Sequence, residues 1–319
     1  MFYRIRMMSS PLVLPAPAKL NLFLHIIGRR EDGYHLLQTL FQFLDYGDEL
    51  SFEQQGDLEL ICDIPELVND DNLILKAARM LQEKTGCQKG AKINLTKRLP
   101  MGGGVGGGSS DAATALLGLN LLWELGLSID ELAELGLKLG ADVPVFIRGY
   151  AAFGEGVGEK LTPVEPEEQC FLVLKPDCHV NTLSMFKHPD LTRDTPAIKV
   201  CAALDRLYQN ECRNDFQSLV RKLYPEVDKS LLLLDNAGNS SMGQAMMSGS
   251  GACVFASFVS REQAEATLTE LGSEIDGFVA RGVNQSPLHN QIRQLTTCTK
   301  QNSLSDKRLS RNQECRNQE

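Results

Sequence analysis

A chain of 319 residues that is 43% hydrophobic and carries a net charge of −9 can bury one large or two moderate cores, and two domains is the expected count. The acidic balance argues against a general nucleic-acid or anionic-membrane surface, because phosphate backbones are bound through excess Lys and Arg; any anionic ligand must be held locally. Nine cysteines, an odd number with no Cys-x-x-Cys pair, indicate neither a disulfide framework nor a zinc site, and no apolar run reaches membrane-span length, so a soluble cytoplasmic protein is expected.

Met1 to Ser10 lacks the apolar core of a signal peptide, and Met8 is an alternative start to Met1. From Pro15 to Ile27 the residues alternate, with Leu20, Leu22, Leu24 and Ile26 on the core face of a strand. Lys19, Asn21, Phe23 and His25 fall on the other face. Lys19 has small and apolar neighbours and no adjacent acid, which leaves a solvated charge and a functional cation both open. Gly28 to Gly33 reads as a charged turn, and Tyr34-His35 opens the apolar segment Leu36 to Leu44. An aromatic beside an imidazole suits a nucleobase, although a half-buried Tyr and a satisfied His are the commoner explanation. Asp45 to Ile64 alternates apolar and acidic patches, which predicts antiparallel strands and turns.

Asn72 is placed to cap a helix from Leu73 to Glu83 that ends at Gly86. Ala91 to Leu99 reads as a strand. It runs into Pro100-Met101-Gly102-Gly103-Gly104-Val105-Gly106-Gly107-Gly108-Ser109-Ser110-Asp111, followed by helical spacing from Ala112 to Trp123. Strand, glycine loop and helix together aim free N–H groups and a partial positive charge at whatever the loop encloses, and phosphate is the obvious occupant. No lysine follows the last glycine, so this is not a Walker A loop. A dinucleotide fingerprint fits only formally, and a flexible linker seldom joins a strand to so apolar a helix.

Ser128 to Glu131 is a capping box for a helix reaching Leu139, and Gly140-Ala141-Asp142-Val143-Pro144 follows. Asp142 in such a turn is commonly a cap, but its apolar setting also suits a carboxylate with a specific partner. Ala151 to Gly158 holds a small-residue turn, and Pro163 to Glu168 reads as the boundary between domains. Phe171 to Leu174 is a buried strand, Lys175 to Pro196 a long loop carrying Thr182 and Phe186. Helices are predicted around Val200 to Tyr208, Asp215 to Leu223, Asp228 to Leu234 and Arg261 to Leu271. A second small-residue turn spans Met247 to Cys253, a strand spans Gly277 to Gly282, and the residues beyond Arg293 read as a polar, disordered tail.

Four ordered motifs, Pro-Ala-Pro-Ala-Lys-Leu-Asn-Leu at 15–22, the glycine stretch at 99–113, Gly-Ala-Asp-Val-Pro-Val-Phe at 140–146 and Ser-Gly-Ser-Gly-Ala-Cys-Val-Phe at 248–255, resemble those of the GHMP small-molecule kinases. The resemblance implies an α+β chain in two domains. An N-terminal ATP-binding domain over 1–163, like the second domain of ribosomal protein S5, precedes a ferredoxin-like domain over 164–293, with the site between them and 294–319 as tail. It implies Asp142 as catalytic base and Lys19 as its electrostatic partner. ATP would bind at Asn72, Leu73 and the stretch Pro100, Met101, Gly102, Gly103, Gly104, Val105, Gly106, Gly107, Gly108, Ser109 and Ser110. Mg²⁺ would be held mainly by phosphates, with no dedicated protein metal site. Asn21, Tyr34, His35, Thr182 and Phe186 match positions around a cytidine diphosphate substrate, a methylerythritol derivative phosphorylated on its 2-hydroxyl in non-mevalonate isoprenoid synthesis. Its implied partners are small molecules only, with neither nucleic acid nor membrane, in a monomer or weak homodimer.

Overall fold

The computed structural model describes residues 10–237 and 244–296. In chain order the elements are β1 (Leu12–Arg29), β2 (His35–Gln55), β3 (Leu58–Cys62), α1 (Leu73–Thr85), β4 (Gly90–Thr96), α2 (Gly107–Leu122), α3 (Ile129–Leu139), α4 (Val143–Arg148), β5 (Ala152–Gly156), β6 (Lys160–Pro163) and β7 (Cys170–Leu174). There follow α5 (Thr182–Lys187), α6 (Val200–Tyr208), α7 (Gln217–Leu223), α8 (Pro225–Asn236), β8 (Met246–Met247), β9 (Val254–Phe258), α9 (Arg261–Leu271) and β10 (Gly277–Val283). Residues 287–296 form a last helix, α10.

All ten strands share one sheet, and β2 is its hub. Along one edge β2 pairs with β1; along the other it pairs in turn with β5, β10 and β4. Asp45 to Asp48, within the stretch expected to hold strands and turns, is continuous strand, with Gly47 and Asp48 in register with Pro17 and Ala16 of β1. The turn expected within Ala151 to Gly158 falls at 157–159, and Ala152 to Gly156 before it is a strand that pairs with β2 and β6.

Apolar clusters lie on both sides of the sheet. One packs α1, α2, α3 and α4 against β2 and β4, with Phe52, Leu116 and Phe146 fully buried. A second gathers α7, α8 and β9 around Leu24 and Ile26 of β1. The sheet and this sharing of β1 join the two halves, and Leu24 exchanges backbone hydrogen bonds with Arg213 and Asp215. Both faces of β1 are buried as a result, not the single face its alternation predicts. The chain also returns to where it began: Leu288, Ile292 and Leu295 of α10 pack on the first cluster, although the sequence assigns this stretch to the second domain and the tail. The remainder of the predicted tail, and the choice between Met1 and Met8, lie outside the described residues. No described helix is long and apolar enough to cross a membrane.

Candidate active site

β1 is bulged, with register shifts between Pro17 and Lys19 and between Asn21 and Leu24. A bulge re-aims the residues beside it. Lys19 is thereby turned inward at 2% side-chain exposure, and its ammonium has three acceptors: Asn21 Oδ1 at 2.5 Å, the Gly104 carbonyl at 2.9 Å and Asp142 Oδ2 at 3.1 Å. Three acceptors match three N–H bonds, so the charge is held in one place. Asn21 donates from Nδ2 to Thr39 Oγ1, which fixes its oxygen toward Lys19.

Asp142 stands at the N-cap position of α4, where a carboxylate commonly takes the first free N–H groups. It makes no such bond. Its side chain, 34% exposed, faces the cavity and Lys19 instead. The far end of α4 is pinned by His289, whose Nε2 lies 2.8 Å from the Ile147 carbonyl.

The glycine stretch forms two structures rather than one loop, because α2 starts inside it at Gly107. In the loop proper the carbonyls are tied back. Gly103 accepts from Cys253 N, Val105 from Lys19 N, and Gly104 from both Lys19 Nζ and Ser248 Oγ. No N–H from Gly102 to Gly106 donates to a described partner, so with the carbonyls of Gly103 to Val105 tied back this part of the loop and the first turn of α2 keep their donors free, an arrangement suited to phosphate. Gly104, at φ +75°, shows why glycine is required: a Cβ there would collide with the Ser248 carbonyl. The second small-residue turn is thus the platform against which the first loop is shaped.

Beneath α2, Lys97 pairs with Asp48 and, at 2.8 Å, with Asp111, all three buried. Asp48 also accepts from the N–H groups of Arg98 and Leu99, which carries the chain into Pro100. Asp111 has only Lys97 and leaves Oδ1 without a partner. Burial, with the Asp48 charge against it, pushes the Asp111 carboxyl up to about 7 despite the lysine.

At the other end of the cavity His35 stacks on Phe186, ring centroids 4.8 Å apart, and burial together with Arg193 and Arg29 lowers its pKa. Tyr34 is 65% exposed on the rim. Phe186 and Thr182 come from α5, a short helix inside the stretch read as a long loop; Asn181 caps it, and Thr182 Oγ1 lies 2.7 Å from Ser250 Oγ. The cavity joining these parts measures about 830 Å³. Lys19, Asn21, Tyr34, His35, Leu73, Pro100, Gly102 to Gly104, Gly106 to Ser109, Asp142, Thr182 and Phe186 line it; Asn72, Met101, Val105 and Ser110 do not. Asn72 spends its side chain on Ile74 N and the Leu67 carbonyl, and Val105 is core. Sequence reasoning missed Ser248, Arg29, Lys187 and Arg193. Ser248 sits in the fourth motif and was within reach; Arg29 ends β1, Lys187 ends α5 and Arg193 lies in a loop, with no local pattern to mark them.

Residues 72–150 match the family model for the GHMP kinases N terminal domain and residues 197–276 that for GHMP kinases C terminal. The chain belongs to the GHMP kinase family, and its α+β architecture is the fold of that family. It is 55% identical over 288 residues, 90% of this chain and 97% of the relative, to the 4-diphosphocytidyl-2-C-methyl-D-erythritol kinase of Pseudomonas savastanoi pv. phaseolicola (strain 1448A / Race 6). It is 56% identical over 288 residues, 89% of this chain and 99% of the relative, to the protein of the same name from Pseudomonas syringae pv. syringae (strain B728a). A crystal structure of 4-(cytidine 5'-diphospho)-2C-methyl-D-erythritol kinase superposes with a TM-score of 0.74 at 32% identity, covering 85% of this chain and 99% of that one.

Proposed function

We propose that this chain transfers the γ-phosphoryl group of ATP to the 2-hydroxyl of 4-diphosphocytidyl-2-C-methyl-D-erythritol, giving the 2-phosphate and ADP in the non-mevalonate isoprenoid route. The carrying observation is one cavity with a loop of unengaged N–H groups at one end, aromatic and imidazole groups at the other, and the Lys19–Asp142 pair between. The names of the relatives agree with this substrate.

Phosphoryl transfer depends on positioning and charge stabilisation more than on covalent chemistry. In this reading the amides of the loop and of the first turn of α2 hold the triphosphate, with Leu73 on the adenine side. Asp142 accepts the proton of the attacking hydroxyl, and does so late, because an alcohol gives it up only as the new O–P bond forms. The Lys19 ammonium orients that carboxylate and stabilises the charge growing on the oxygen. Asn21 acts by holding Lys19. The pyrimidine stacks against Tyr34 and Phe186 and meets His35, while Arg29 and Lys187 supply charge for the diphosphate.

No three His, Cys, Asp or Glu among the described residues are placed to cage a metal ion. Mg²⁺ would enter on phosphate oxygens, with the Ser109 hydroxyl on the cavity wall as its protein ligand, and would neutralise charge on the transferred group. One copy supplies every residue named, consistent with a cytoplasmic monomer or weak homodimer. The test is ADP release with the cytidylyl substrate, homoserine or mevalonate, and the phosphorylated position read by ³¹P NMR. Turnover of homoserine or mevalonate without the cytidylyl compound overturns the assignment.

A further inference from the structure

Arg193 has no acidic partner among the described ion pairs, and of its four hydrogen-bond partners Phe186 and His35 line the substrate end of the cavity. Its Nη2 donates to the carbonyls of Phe186 and His188 at 2.9 and 2.7 Å, and its Nη1 to the Leu191 carbonyl at 2.8 Å. These close the end of α5 and hold Phe186 against His35. The remaining donor, Nε, lies 3.1 Å from His35 Nε2. A guanidinium can only donate. His35 Nε2 must therefore present its lone pair, and the ring's proton must sit on Nδ1.

That nitrogen has no hydrogen-bond partner among the described residues, and it is not one of the buried orphaned atoms, so it is open to whatever enters the cavity that His35 lines. We propose that Arg193 is a positioning residue that fixes His35 as the neutral Nδ1–H tautomer, so that the wall offers the substrate's base a donor and selects a pyrimidine with an acceptor at ring position 3. Cytosine has a lone pair on N3; uracil has an N–H there, and two donors facing each other in a desolvated contact repel. Without Arg193 the imidazole is free to carry its proton on Nε2 and accept through Nδ1, which suits uracil.

This rests on the substrate reading above, and the test separates the two. Nitrogen shifts of the His35 ring in the full-length wild-type protein, at a pH where it is neutral, are expected to show the proton on Nδ1; a proton on Nε2 overturns the proposal whatever the substrate. In Arg193→Met the ring is expected to become a mixture of tautomers. The ratio of kcat/KM for the cytidylyl substrate over its uridylyl analogue should fall at least about tenfold, the scale of one buried hydrogen bond, with KM for ATP unchanged. A variant that loses activity on both substrates at a constant ratio, or keeps the wild-type tautomer, shows that Arg193 only braces α5 and overturns the proposal. A wild-type protein that uses neither pyrimidine substrate refutes the function reading, and the tautomer measurement still decides the role of Arg193.

Discussion

Replacing Lys19 with methionine keeps the length of the side chain and removes its charge, and the surroundings define what that costs. Of its three acceptors, the Gly104 carbonyl retains the Ser248 hydroxyl, and Asp142 is exposed enough to be hydrated. Only Asn21 Oδ1 is left buried and unpaired, a penalty of about 1–3 kcal/mol in stability. The kinetic loss should be larger. In the proposed mechanism an ammonium 3.1 Å from Asp142 acts on charge that develops only in the transition state, and loss of one such preorganised group costs about 10²–10³ in turnover. Coupled ADP-release assays on Lys19→Met, with urea unfolding alongside, should show kcat down by that factor, KM for ATP within about threefold and a stability loss of at most about 3 kcal/mol. A normal kcat with a raised KM would refute the reasoning and make Lys19 a binding residue. A stability loss well above that figure would show that the ion pair holds up the fold.

Asp142→Asn preserves an acceptor for Lys19 but cannot take a proton; nucleotide binding by calorimetry should persist while turnover drops by about two to four decades, and near-normal turnover removes Asp142 from the base role. Tyr34→Ala, on the exposed rim, should raise KM for the cytidylyl substrate at least about fivefold with KM for ATP and the melting temperature unchanged; an equal effect on both substrates means a folding defect. Asp111 holds its proton more tightly folded than unfolded, about 7 against an ordinary 3.8, so its contribution favours the fold below pH 4 and is lost as pH rises through 7. Wild type should therefore lose up to about 4 kcal/mol relative to Asp111→Asn between pH 4 and 8 in urea titrations, and a constant difference across that range refutes the assignment.

The strand, glycine loop and helix order, the capping box at Ser128 and the boundaries of α9 were legible because each is a local pattern: spacing, a cap or a breaker. The Lys19–Asp142 pair was nameable only through the resemblance. Nothing local says that a bulge turns Lys19 inward or that Asp142 declines to cap α4. Ala152 to Gly156 carries small, turn-forming residues and is strand because β2, more than 100 positions away in sequence, pairs along it. The return of α10 to the first cluster and the clasp of Arg193 on His35 join residues more than 100 positions apart, and a window along the chain cannot see such contacts.

With the carbonyls of Gly103, Gly104 and Val105 already engaged, this part of the loop is answered best by acceptors. A competitive inhibitor aimed at this end of the cavity gains nothing from the hinge-type donor–acceptor heterocycles that suit many nucleotide sites. Sulfonates, tetrazolates or carboxylates placed along 102–109 would match it, and a compound that donates to the Gly103, Gly104 or Val105 carbonyl competes there with Cys253, with Ser248 and Lys19, or with the Lys19 amide. Resistance by substitution is constrained where the two turns meet: a side chain at Gly103 or Gly104 collides with Cys253 or the Ser248 carbonyl of the second turn.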